Sequence, residues 1–92
     1  MTVYLVRGST GTHEEHHEWV SSAHASEAGA QAKIAQMRAS LDIVKLQRPA
    51  SNALYEAHVA YWDILRMVDP QCPCLPDADD LKWVVVAKEV KS

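Results

Sequence analysis

The chain has no phenylalanine, and only three glycines, four prolines and two cysteines among its 92 residues. So little glycine and proline rules out a collagen-like or low-complexity segment. Hydrophobic residues at 48% and charged residues at 23% exclude an acidic disordered tail. No apolar run approaches the ~18 residues of a membrane span, and the start lacks the basic and apolar stretches of a signal peptide. A soluble, cytosolic protein without membrane contact is expected. Cys72 and Cys74 flank Pro73; a bridge closing so small a ring would be strained, so free thiols are expected.

What is present suits one small domain. A chain this short buries only ~60 to 65% of its unfolded surface, so its core depends on a few large side chains. Without phenylalanine these are three Trp and three Tyr. The net charge of −3 hides blocks of opposite sign. Residues 1–30 sum to −3, 31–48 to +3, 49–80 to −5 and 81–92 to +2. A generic nucleic-acid binder gathers its Lys and Arg into one positive footprint, which this distribution lacks, and free DNA is not an expected partner.

The pattern predicts an α+β domain over residues 1–92, ordered β-β-α-α-β, with a three-stranded, mainly antiparallel sheet and both helices on one face. Met1 to Arg7 reads as a central strand, Gly8 to Gly11 as a turn, and His13 to His24 as a second strand completing a hairpin over 1–24. A helix over 26–48 follows, capped by Ser26, with Ala30, Ile34, Met37, Leu41 and Val44 on one stripe. A second helix is expected over 51–68, capped by Ser51 or Asn52, with Leu54, His58, Tyr61, Leu65 and Val68 on one face and Tyr55 and Trp62 beside it. Residues 69–80 carry three prolines and read as an exposed loop, and 81–90 as the last strand, its direction open. In this arrangement Trp19, Trp83 and Val85 face the helices, and Val20, Val84 and Val86 face away as a bare apolar surface.

The sharpest match to a catalytic motif is His13-Glu14-Glu15-His16-His17, which satisfies H-E-x-x-H. That motif binds zinc only on a helix, where its two histidines lie one turn apart; on a strand they sit ~13 Å apart. A zinc site through this His/Glu-rich hairpin is therefore a distant reading, as is one through Cys72 and Cys74, whose spacing is weaker than C-x-x-C. Gly8-Ser9-Thr10-Gly11 lacks the G-K-[ST] ending of a phosphate loop, and no serine sits in a nucleophile elbow. No cofactor, metal or catalytic residue is expected.

Charge and exposure alone nominate two surfaces. Glu14, Glu15 and Glu18 of the hairpin, with Asp77, Asp79 and Asp80 of the loop, form an acidic set suited to a lysine-lined groove on a protein partner. Lys33, Arg38, Lys45 and Arg48 of the first helix form a basic set suited to RNA phosphates.

The opening Val3-Tyr4-Leu5-Val6-Arg7-Gly8-Ser9-Thr10-Gly11, with Glu18-Trp19-Val20 and then an alanine-rich helix, resembles small phage-encoded proteins built as a hairpin, helices and a final strand. Within that group the chain is similar, over most of its length, to anti-CRISPR proteins directed at the type I-F surveillance complex. The resemblance implies stoichiometric inhibition without chemistry, in the cytoplasm of a bacterial host. Such a protein docks on the crRNA-guided complex, touches its backbone and tail subunits and in some cases the guide RNA, and stops target DNA from pairing. No motif carries contact residues across, so the two charged sets rest on charge and exposure. The competing expectation is a phage accessory module that binds a different host protein or homodimerises.

Overall fold

A computed structural model describes residues 1–11 and 16–91. The elements run β1 (Thr2–Thr10), β2 (His17–His24), α1 (Glu27–Lys45), α2 (Tyr55–Val68) and β3 (Lys82–Glu89). The sheet order is β2-β1-β3, and β1 is antiparallel to both neighbours, which settles the direction of the last strand. Both helices lie on one side, and α1 packs against all three strands and against α2.

The stripe predicted for α1 is the stripe that is buried: Ala30, Ile34, Met37, Leu41 and Val44. Its cap is also as expected, since the Ser26 hydroxyl accepts a hydrogen bond from the Gly29 amide at 3.0 Å. The helix ends at Lys45, three residues before the expected end. Gln47 and Arg48 donate instead to Val44 and Lys45, the tighter i to i+3 bonds with which a last turn closes.

The second helix starts later than its sequence suggested. Ala53 donates to Ala50 in a turn after Pro49, and Leu54, not Ser51 or Asn52, is the N-cap, without a side-chain cap bond. Leu54 and Tyr55 are exposed, so no packing draws the first turn back; the buried face is Tyr61, Leu65 and Val68.

Two further departures share one cause. Gly8 was expected in a turn, yet it lies inside β1, paired with Trp19 on one side and Trp83 on the other. The three positions form one row across the sheet on the helix-facing side, and a Cβ at Gly8 would run into the Trp19 indole, coming within 2.7 Å of its Nε1. Both indoles then point at the same acceptor: Trp19 Nε1 and Trp83 Nε1 donate to Asp69 Oδ2 at 2.8 and 2.9 Å. Asp69 belongs to the segment expected to be an exposed loop, but it is 3% exposed, and Oδ1 also accepts from the Gln71 amide at 3.1 Å. The loop is held at its other end too, where buried Thr10 accepts from the Asp77 amide at 3.0 Å and Pro76, Ala78 and Leu81 sink into the core.

A register shift between Val6 and Arg7 leaves Ser21 as an extra residue in β2, and its hydroxyl meets the Met37 sulfur at 3.7 Å. Tyr4, Val6, Gly8 and Thr10 face the helices, together with Trp19, Trp83 and Val85. Val20, Val84 and Val86 lie on the other side, as the alternation predicts.

Replacing Asp69 with alanine leaves two indole N–H groups without their acceptor and is expected to cost about 3 kcal/mol. Asp69→Asn, which keeps one oxygen, costs less, and Gly8→Ala destabilises through the clash with Trp19. Urea denaturation followed by far-UV circular dichroism checks the order; equal stability of Asp69→Ala and the native chain would contradict this role.

Candidate interaction surface

The acidic and basic sets do not form the two separate faces suggested by their positions in the sequence. Asp79 lies 3.2 Å from the Arg48 guanidinium and 4.0 Å from the Lys45 ammonium, so one member of the acidic set is paired with two of the basic set. Asp80 pairs with Lys82 at 3.4 Å. Asp77 turns its carboxylate inward on its own loop, where Oδ1 accepts from the Asp79 amide at 3.0 Å. Glu18 is held by Arg7 at 3.2 Å and His16 at 3.1 Å. Glu14 and Glu15 lie outside the described residues, as does His13. Lys33 and Arg38 stand on α1, away from this junction, with Arg38 exposed.

What the structure brings together is a mixed corner where the end of α1 meets α2. The Arg48 Nε donates to the Tyr61 hydroxyl at 3.4 Å, and its terminal nitrogen reaches Asp79. Those two bonds, the tyrosine first, hold the guanidinium pKa above its ordinary value. Beside it Arg48, Pro49, Ser51, His58, Tyr61 and Trp62 line a shallow cleft of about 350 Å³. The aromatic stripe continues outward, with the rings of Tyr55 and Trp62 edge to face at 6.1 Å and His58 tilted against Trp62 at 6.1 Å. Tyr55 is 71% exposed. The sequence showed the seven-residue spacing of Tyr55 and Trp62; that Arg48 would lie beside them follows only from the packing of α1 on α2.

The remaining motifs resolve differently. His17 opens β2, paired with Thr10, so the last histidine of the H-E-x-x-H match sits on a strand, while His13, Glu14 and Glu15 lie outside the described residues. Among the described residues, no three His, Cys, Asp or Glu side chains gather in a way that would hold a metal ion. Both cysteines are free. The Cys72 thiol donates to the Cys74 carbonyl at 3.1 Å, and burial pushes its pKa up to about 11, which keeps it protonated at neutral pH. No described helix is long and apolar enough to cross a membrane.

The hairpin neck carries a pH-sensitive pair. The Glu18 carboxylate, followed by the Gly11 backbone, raises His16 above its ordinary 6.5, while the His16 bond and then Arg7 lower Glu18 below its ordinary 4.5. The histidine's contribution is complete below pH 6.5 and fades as pH rises through its raised pKa; the carboxylate's is present above pH 4.5 and fades as pH falls through its lowered one. The neck is therefore tightest between these two values. An NMR titration of His16 should show a midpoint above 6.5 that returns toward 6.5 in Glu18→Gln. An unchanged midpoint would mean that the two side chains do not interact in solution.

No protein-family model, no curated protein and no solved structure matches the chain.

Proposed function

We propose that the protein is a non-catalytic inhibitor that docks on the crRNA-guided surveillance complex of a type I-F CRISPR system, in the cytoplasm of a bacterial host, and prevents target DNA from pairing with the guide. The observation that carries this reading is the corner between α1 and α2. Tyr, Trp and Arg are the side chains that most often dominate binding energy at interfaces, and here exposed Tyr55 packs edge to face on half-buried Trp62, which lines the cleft beside Arg48. Arg48 is already oriented by Tyr61 and Asp79, so less side-chain freedom is lost on docking.

The shape of the chain supports a role in binding. Its radius of gyration is 15.0 Å, against roughly 12 Å for a close-packed chain of this length. It exposes 6333 Å², whereas a folded monomer of its mass exposes roughly 5,300 Å². Such a molecule offers much surface and little interior. Away from the corner, Lys33 and Arg38 on α1 offer positive charge to guide-RNA phosphates, and at its edge Asp77 and the Arg48-paired Asp79 suit the positive groove that holds target DNA.

The test is a mobility-shift assay with purified surveillance complex and labelled target duplex. Excess protein should abolish duplex binding, and Tyr55→Ala together with Arg48→Ala should raise the concentration needed by about tenfold or more, as the loss of two anchors requires. Undiminished duplex binding at saturating protein would sink the proposal.

A further inference from the structure

The side of the sheet turned away from the helices is covered by none of the described residues, and its residues fall into level rows. From one end these are Glu18–Ser9–Lys82, then Val20–Arg7–Val84, then Ala23–Leu5–Val86, and finally Val3–Lys88. Val20 and Val84 are 50% and 56% exposed at the two edges. We infer that this face pairs two copies of the chain about a two-fold axis parallel to β1, with Glu18 of each copy opposite Lys82 of the other. The inference goes beyond the inhibitor reading and does not depend on it.

The argument is one of self-complementarity. A two-fold axis along β1 keeps every row level and exchanges the edges, so β2 of one copy lies over β3 of the other. Glu18 then meets Lys82 twice, Val20 meets Val84 twice and Ala23 meets Val86 twice. The on-axis strand brings Leu5 and Val3 against their own copies. Arg7 also lies on the axis, but it leans toward its own β2 to reach Glu18 at 3.2 Å, and its counterpart leans the opposite way, so the two guanidinium groups diverge. The alternative axis, across the strands, would set Lys82 against Lys88 and leave Glu18 unmatched. Inclining the axis by half of the ~30° at which packed sheets usually cross displaces the end row by roughly one strand or less, a gap that the lysine stem spans. Lys82 is 70% exposed and only loosely held by Asp80 at 3.4 Å, so it is free to make that reach.

The area sets the strength. Three strands ~4.8 Å apart and eight residues long at ~3.3 Å each present roughly 400 Å² per copy. Two such faces fall below the ~1,200 Å² of standard stable complexes, the size of a weak, transient pairing.

Sedimentation equilibrium of the full chain over roughly 5 to 500 µM at low salt should show the mass rising from 10.2 kDa toward twice that value. Glu18→Lys alone and Lys82→Glu alone should each weaken association by about tenfold or more, because each places like charges opposite one another. An equimolar mixture of these two variants should associate again, since both cross-pairs are then of opposite sign, and Val84→Glu should remain monomeric. Circular dichroism on each variant separates loss of pairing from loss of fold. A native chain that stays monomeric throughout overturns the inference. So does a dimer indifferent to the single reversals, which would locate the contact elsewhere, or a mixture of folded variants that fails to associate.

Discussion

The structure depends on one buried carboxylate. Asp69 stands at the C-terminal end of α2, where the helix dipole disfavours negative charge, and no cation approaches it among the described ion pairs. Two indole N–H groups from the outer strands and one backbone amide supply the stabilisation that water would otherwise give. Because the indoles come from β2 and β3, the contact spans the sheet and ties it to α2, a helix whose other packing is against α1. Gly8 is the condition for this: only a residue without a side chain lets two indoles close over the middle strand.

The same compactness around Asp69 reorganises the charges. By bringing the proline-containing loop back over the end of β1, the fold places Asp79 against the last turn of α1, where sequence blocks of opposite sign neutralise each other. The surface that results is a mosaic of short paired seams. Specific recognition on such a surface falls to shape and aromatic contact, with long-range charge a secondary influence.

Regular periodicity was legible from the sequence, and exceptions to it were not. The α1 stripe from Ala30 to Val44 and its Ser26 cap could be read because helix geometry repeats, and the alternation of β3 correctly separated Trp83 from Val84. Gly8 and Asp69 were misread for a shared reason: each is a residue type that usually marks a turn or a loop, and each is placed here by a tertiary partner far away in sequence. The late start of α2 follows the same logic, since Ser51 and Asn52 are good caps by type while the turn at Ala50–Ala53 already occupies them. In the candidate site Tyr55 and Trp62 were visible as a spacing; their junction with Arg48 depends on the angle at which α2 leaves Pro49, which local sequence does not encode.

The three tryptophans divide the molecule in a way useful to anyone observing it. Trp19 and Trp83 share a single buried carboxylate, whereas Trp62 lines the cleft beside Arg48. Their emission therefore arises from two electrostatically unlike surroundings. A dye-free optical measurement can follow the integrity of the sheet through one population and occupancy of the helix corner through the other, within the same native chain.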